Sequence, residues 1–278
     1  MAKITIDIAE AARRMFRPAG IPVLLYHGIA GPGTESIPTG ERKFWITDAQ
    51  FTDQLRRIQS GGYRAGSVRD FWQLRGPAAQ ALPLVAMTFD DGHSTDYTVA
   101  FPLLCEFGIH ADFFINTATV GSQGFLTWGQ IAEMHRAGMS CQSHSHNHVD
   151  LSLLPADRLQ EQLAHSKSVI EERLGTSVEF LSVPYGLVNK RVISAAHEQG
   201  YRSVCTSQNW PATLGTMQIG RVSIHSDTDA GEFAGLLARD LSLYAARSAR
   251  EAFLYLPKQV LLRLKPGLLT VQTSGSQP

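Results

Sequence analysis

Only three cysteines, Cys105, Cys141 and Cys205, occur in 278 residues, far apart and without a Cys-x-x-Cys spacing. An odd, scattered set excludes a disulfide framework and reads as reduced, mostly buried thiols. An excess of either charge is missing as well. Lys and Arg number 25 against 25 Asp and Glu, so no basic field points to nucleic acid as a partner. Charged residues are sparse at 18% and hydrophobic residues reach 44%, which excludes a disordered chain and a coiled-coil rod. No apolar run is long enough to span a bilayer: the richest, Ala252 to Val271, is broken by Pro257, Lys258, Arg263, Lys265 and Pro266. Residues 1–20 lack the apolar core of a secretory signal, so the expected compartment is the cytoplasm. No internal repeat is visible, and low complexity is confined to the final TSGSQP.

What the chain does have is alternation. Short apolar runs trade places with amphipathic segments from residue 22 to about 240. Strands are expected at 22–27, 84–89, 111–116, 139–143, 178–183, 201–205 and 219–225. Helices are expected at 47–60, 96–107, 127–137, 155–174, 190–199 and from 229 to about 246. Six or seven β-then-α units in succession imply parallel strands joined by helical crossovers. An open doubly wound sheet and a barrel both fit that order. The polar clusters favour the barrel: Asp90-Asp91, Asn116, 144–148, Pro184-Tyr185 and His225 each follow a different strand, and a barrel gathers such ends on one face.

Three of those clusters carry chemistry. Thr88-Phe89-Asp90-Asp91-Gly92 puts adjacent carboxylates at a strand end. One can ligate a metal while its neighbour serves as a base, although Asp-Asp-Gly at such a junction also reads as a helix cap. The run His144-Ser145-His146-Asn147-His148 places His144 and His148 on one side of an expected helical turn. Two imidazoles plus a carboxylate make the usual composition of a catalytic zinc site. His146 is expected outside the ligand set. Pro184-Tyr185-Gly186 offers an aromatic wall or a backbone N–H, and is otherwise an ordinary turn. Strand alternation sets Arg221, Ser223 and His225 on one face, and a histidine beyond a strand end is a candidate general acid.

Together these segments resemble the polysaccharide deacetylase family, the NodB-homology domain of carbohydrate esterase family 4, and in particular its exopolysaccharide-type subgroup. The likeness spans about residues 20–240 and includes Ile21–Ile29, Phe51 to Leu55, Gly62-Tyr63, Phe101–Leu104 and Ala111–Phe114. The resemblance implies an α/β fold, a distorted (β/α) barrel of about seven parallel strands in one domain with a helical C-terminal extension. It implies residues 1–20 as an N-terminal extension, 21–245 as the barrel and 246–278 as an amphipathic tail. It further implies a hydrolase that removes the N-acetyl group of an acetylated amino sugar and releases acetate. On that likeness Asp90 is the general base, and Asp91, His144 and His148 hold a divalent metal, zinc first, with cobalt or nickel as alternatives. Tyr185 contributes its backbone amide, and His225 is the general acid.

Two departures from the family pattern bear on activity. Ser182 stands where the family often has an arginine that orients the catalytic aspartate, and no acidic residue precedes Trp210. Arg221 is expected to reach Asp90 from across the barrel and replace the missing guanidinium. The competing readings are a metal-free cyclic imide or ureide hydrolase of the same superfamily and a catalytically idle sugar-binding barrel. The stretch Leu241 to Leu269 mixes apolar residues with Arg247, Arg250, Lys258, Arg263 and Lys265. It suits either a peripheral membrane contact or a helix packed on the barrel wall. Neither the particular sugar nor the oligomeric state is legible.

Overall fold

The computed structural model describes residues 19–250, apart from 33, 35, 36, 38, 39, 73 and 75–82. Residues 1–18 of the segment assigned to an N-terminal extension and most of the C-terminal tail, including 251–269 of the membrane expectation, lie outside the described residues. The strands are β1 Val23–Tyr26, β2 Ile29–Ala30, β3 Ile46–Thr47, β4 Arg64–Gly66, β5 Leu84–Phe89, β6 Asp112–Ile115, β7 Ser140–Ser143, β8 Phe180–Ser182, β9 Ser203–Cys205, β10 Gln218–Ile219 and β11 Val222–Ser223. The α-helices are α1 Asp48–Ser60, α2 Val68–Phe71, α3 Phe101–Glu106, α4 Trp128–Arg136, α5 Ala156–Leu174, α6 Lys190–Glu198 and α7 Ala230–Leu237. Residues 241–250 are also helical.

The main sheet runs β10-β9-β8-β7-β6-β5-β1-β11, with every pairing parallel. Its two edges are halves of one short segment. β10 pairs with β9 and β11 pairs with β1, and only Gly220-Arg221 separates them. The strand expected at 219–225 is therefore split, and the split closes the sheet into a distorted barrel. β4 pairs beside the first half of β5, whereas β6 takes the second half of the same edge.

Period-two alternation sorts the side chains. Leu24, Met87, Phe89, Phe113, Cys141, Leu181 and Val204 face the helices and form the larger core with Phe51, Leu55, Ile131, Leu163 and Phe233. Val23, Ala86, Phe114, Phe180, Cys205 and Ile219 face inward, and Val68, Phe71 and Trp72 plug that interior from below. Five of the seven helices α1–α7 start at a residue whose side chain caps them. Thr47, Ser67 and Thr127 form capping boxes, and Asn189 and Asp229 cap α6 and α7 through their side chains. The helix expected from 229 to about 246 breaks after Leu237, where Arg239 takes φ 58°. The helical stretch beyond it packs on the barrel: Tyr244 is fully buried, and Arg247 bonds the Ser223 carbonyl and pairs with Glu232.

Candidate active site

Alternation along β5 turns Thr88 and then Asp90 into the barrel, where Asp90 is 4% exposed. A carboxylate so placed needs a partner, and it has a strong one. Arg221, fully buried at the barrel seam, grips both Asp90 oxygens, Nη1 to Oδ1 at 2.7 Å and Nη2 to Oδ2 at 2.7 Å. Its remaining N–H groups reach Thr88 Oγ1 at 3.4 Å, Ser182 Oγ at 2.8 Å and the Thr206 carbonyl at 3.2 Å. All five guanidinium donors are thus engaged. Ser182 Oγ donates to Asp90 at 2.9 Å, so the position lacking the family arginine still faces the same carboxylate. Burial alone would raise the Asp90 carboxyl, but Arg221 and His144 outweigh it and hold it below the ordinary carboxylate range.

Asp91 turns the other way because its backbone is left-handed, φ 76°. Its Oδ1 lies 3.3 Å from His144 Nε2 and 3.1 Å from His148 Nε2, and the three donor atoms lie within 4.8 Å of one another. His144 Nδ1 is engaged by the Ser182 carbonyl at 2.9 Å. That contact fixes the tautomer and leaves Nε2 with its lone pair toward Asp91. One carboxylate and two such imidazoles fit a divalent transition ion, with room left for water and substrate. Burial raises the Asp91 carboxyl, but the facing imidazoles of His144 and His148, which favour its ionised form when they carry a proton, hold it well below the usual range.

The two imidazoles do not sit on a helical turn, as their spacing suggests. Residues 144–148 form a bent loop with Ser145 at φ 63° and His148 at φ 51°. The loop is pinned to α5 by Asn147 N donating to Gln162 Oε1 at 2.8 Å. Four of the five described non-glycine residues with positive φ are Asp91, Ser145, His148 and Tyr185. Such strain gathers where a site over-determines its backbone. Tyr185 is 38% exposed and packs its ring against His148, centroids 4.8 Å apart. His146 points elsewhere, toward Thr117 and His165.

His225 is partly buried at the rim, with Phe44 against its ring and its backbone N–H on Thr228 Oγ1. Burial, followed by Lys43 and Arg247, pushes its pKa down to about 3. Asp227 opposes that shift, and His27 adds to it. Two histidines that sequence reasoning passed over stand closer to the carboxylates. His27 follows β1 and feels Asp91 and Asp90, although burial still lowers its pKa; its Nδ1 is buried without a hydrogen bond. His93 lies between Trp45 and Phe125, its Nε2 3.7 Å from Asp91 Oδ2 and 3.7 Å from Glu41 Oε2. His93 was findable as the residue after Asp-Asp-Gly; His27 had no spacing partner to mark it.

The polysaccharide deacetylase family profile matches residues 79–204, the stretch that carries Asp90, Asp91, both imidazoles and Tyr185. The chain carries a polysaccharide deacetylase domain. The Bacillus subtilis (strain 168) protein YxkH is 26% identical over 237 residues, covering 83% of this chain and 81% of its own. The poly-β-1,6-N-acetyl-D-glucosamine N-deacetylase of Staphylococcus epidermidis is 26% identical over 205 residues, 67% of this chain and 70% of that protein. Among solved structures, Streptococcus pyogenes deacetylase PplD in complex with acetate superposes with TM-score 0.69 at 26% identity, over 80% of this chain and 99% of its own. IcaB from Ammonifex degensii shares the fold, TM-score 0.66 at 24% identity, over 81% of this chain and 98% of that one. In this deacetylase domain the sheet is the curled parallel barrel of its relatives.

Proposed function

We propose that this deacetylase removes the acetyl group from an N-acetylated amino sugar, using a divalent metal held by Asp91, His144 and His148 and Asp90 as its base. The observation that carries the reading is the meeting, on one barrel face, of a converged carboxylate–imidazole–imidazole set with a second carboxylate locked to a buried guanidinium. When bound, the ion supplies Lewis acidity, polarising a carbonyl oxygen and easing deprotonation of water. Zinc suits the donor set best, and cobalt and nickel accept the same ligands.

The chain's own groups do the rest. Asp90, kept ionised by Arg221, takes a proton from the water that attacks the acetyl carbonyl. Tyr185 lends its main-chain N–H to the carbonyl oxygen as negative charge develops there, and its ring walls the site beside His148. The C–N bond then breaks, and the leaving nitrogen takes a proton and departs as a free amine while acetate forms. We assign that proton delivery to the imidazoles on the β1–β11 side, which stay neutral at rest and pass to the leaving nitrogen the proton that Asp90 took from the water. His27 acts beside the carboxylates, and His225, the acid the family pattern nominates, stands behind it. The His27→Asn variant should lose more turnover than His225→Asn; the reverse order would move the role to His225.

The Staphylococcus epidermidis relative acts on poly-β-1,6-N-acetyl-D-glucosamine, and we extend to this chain the class of N-acetylglucosamine-containing saccharides. Acetate release across a panel of N-acetylglucosamine polymers, oligomers and simple glycosides tests the reading. Release that disappears in Asp91→Asn supports it; no release from any of these by zinc-loaded protein overturns it.

A further inference from the structure

A second pair of imidazoles lies outside the site. His146, on the loop after β7, and His165, on the exposed side of α5, meet with ring centroids 4.4 Å apart at 80°. The inner pair, His144 and His148, meets at 4.9 Å and 61°, so the outer pair stands in comparable register. His146 is aimed by Thr117, whose Oγ1 lies 2.8 Å from Nδ1. In the tautomer with Nδ1–H donating to that oxygen, Nε2 carries the free lone pair. Three bonds hold the loop in place: the Ala118 N–H on the His146 carbonyl at 3.0 Å, the Thr117 N–H on the Ser145 carbonyl at 3.5 Å, and the Asn147 N–H on Gln162 of α5 at 2.8 Å. One turn before His165, Glu161 pairs with Arg158 at 2.6 Å and acts electrostatically on His146. The two imidazoles are therefore presented by rigid elements with a carboxylate nearby.

We propose that His146 and His165 form a second, weaker binding site for a borderline divalent ion such as Zn2+, clamping the ligand-bearing loop 144–148 to α5. Imidazole pairs favour the later divalent transition ions, and water completes the coordination. An ion there joins the loop that carries His148 to the helix that carries His165. Excess zinc then draws the loop toward α5, shifts His148 from its position beside Asp91, and inhibits.

The experiment is a calorimetric Zn2+ titration of full-length protein already holding one equivalent, beside His165→Ala. His165 is exposed and touches none of the catalytic groups, so basal acetate release stays at the wild-type level. The expected result is a second equivalent bound by wild type and absent from His165→Ala, with inhibition by excess zinc relieved in the same variant. His146→Gln should lose the second equivalent too, while His197→Ala, an unrelated exposed histidine, keeps it. A second equivalent that persists in His165→Ala, or that never binds to wild type, overturns the proposal.

Discussion

Asp90 and Arg221 are 131 residues apart in the chain, and Asp90 and Ser182 are 92 apart. A buried carboxylate left without its guanidinium costs about 3–5 kcal/mol, so Arg221→Ala should lower the melting temperature. Its sharper mark is on pH. With the cation gone and burial remaining, the Asp90 pKa rises. The acid limb of the rate profile should then move to higher pH, with metal content unchanged. Arg221→Ala combined with Ser182→Arg should move the limb part of the way back, because Ser182 already touches the same oxygen. A pH–rate profile that Arg221→Ala leaves unaltered would show that something else holds Asp90. His93 invites a second test. Its Nε2 faces the Asp91 oxygen that the inner histidines leave free, and losing such an outer partner weakens metal binding about 10–100-fold. Zinc affinity, measured by competition with a chelator, should fall in His93→Phe and recover partly in His93→Gln; equal affinities in all three proteins would remove His93 from the account. The sequence displayed most of this site. Asp-Asp-Gly and the two spaced histidines are local patterns. His27 stayed hidden because its place near Asp90 and Asp91 comes from contacts that only folding creates; His93 was marked by its position after Asp-Asp-Gly, but its packing between Trp45 and Phe125 was not.

Among the elements, regular segments with strong periodicity were legible and short polar ones were not. α5, with Pro155 before it and Gly175 at φ 65° after it, begins and ends where those residues place it. β4 and α2 went unread because Arg64–Gly66 has little apolar content and Val68–Phe71 is a single turn. α2 is held by one tertiary bond that explains its place: the Val68 N–H donates to buried Asp112 at 2.6 Å. Burial raises the Asp112 carboxyl to about 7. For an acid whose folded pKa lies above its unfolded value, protonation favours the fold, so stability declines as pH climbs from about 4 through 7. At about 1.4 kcal/mol per unit that decline is up to about 4 kcal/mol. Asp112→Asn removes the titration while keeping an acceptor for Val68. The melting temperature of Asp112→Asn relative to wild type should therefore increase from pH 5 to pH 8; parallel curves would contradict the assignment. The 144–148 loop teaches the complementary lesson. An i, i+4 histidine pair is also what two left-handed kinks produce, and spacing alone cannot tell a kinked loop from a helical turn.

At the scale of the molecule, one break in a strand does two jobs. Gly220-Arg221 separates β10 from β11, letting each edge of the sheet find its own neighbour, and aims the guanidinium into the interior. A side chain at Gly220 would stand 2.7 Å from the Gln208 carbonyl oxygen and 3.1 Å from that of Trp210, both backbone atoms that cannot step aside. Gly220→Ala should lower stability by about 1–3 kcal/mol and reduce turnover more than zinc affinity, because it disturbs Arg221 rather than the metal ligands; an unchanged melting temperature and rate would show the seam to be slack. Among the described residues no helix is long and apolar enough to cross a membrane. The barrel, its seam and its polar rim converge on one claim, that Asp91, His144 and His148 hold the ion on which deacetylation depends. Zinc titration of chelator-stripped protein, followed by acetate release from an N-acetylglucosamine oligomer, tests it most directly. Release should be absent at the start and rise in proportion to zinc until one equivalent is bound. Full release before any zinc is added would contradict the account.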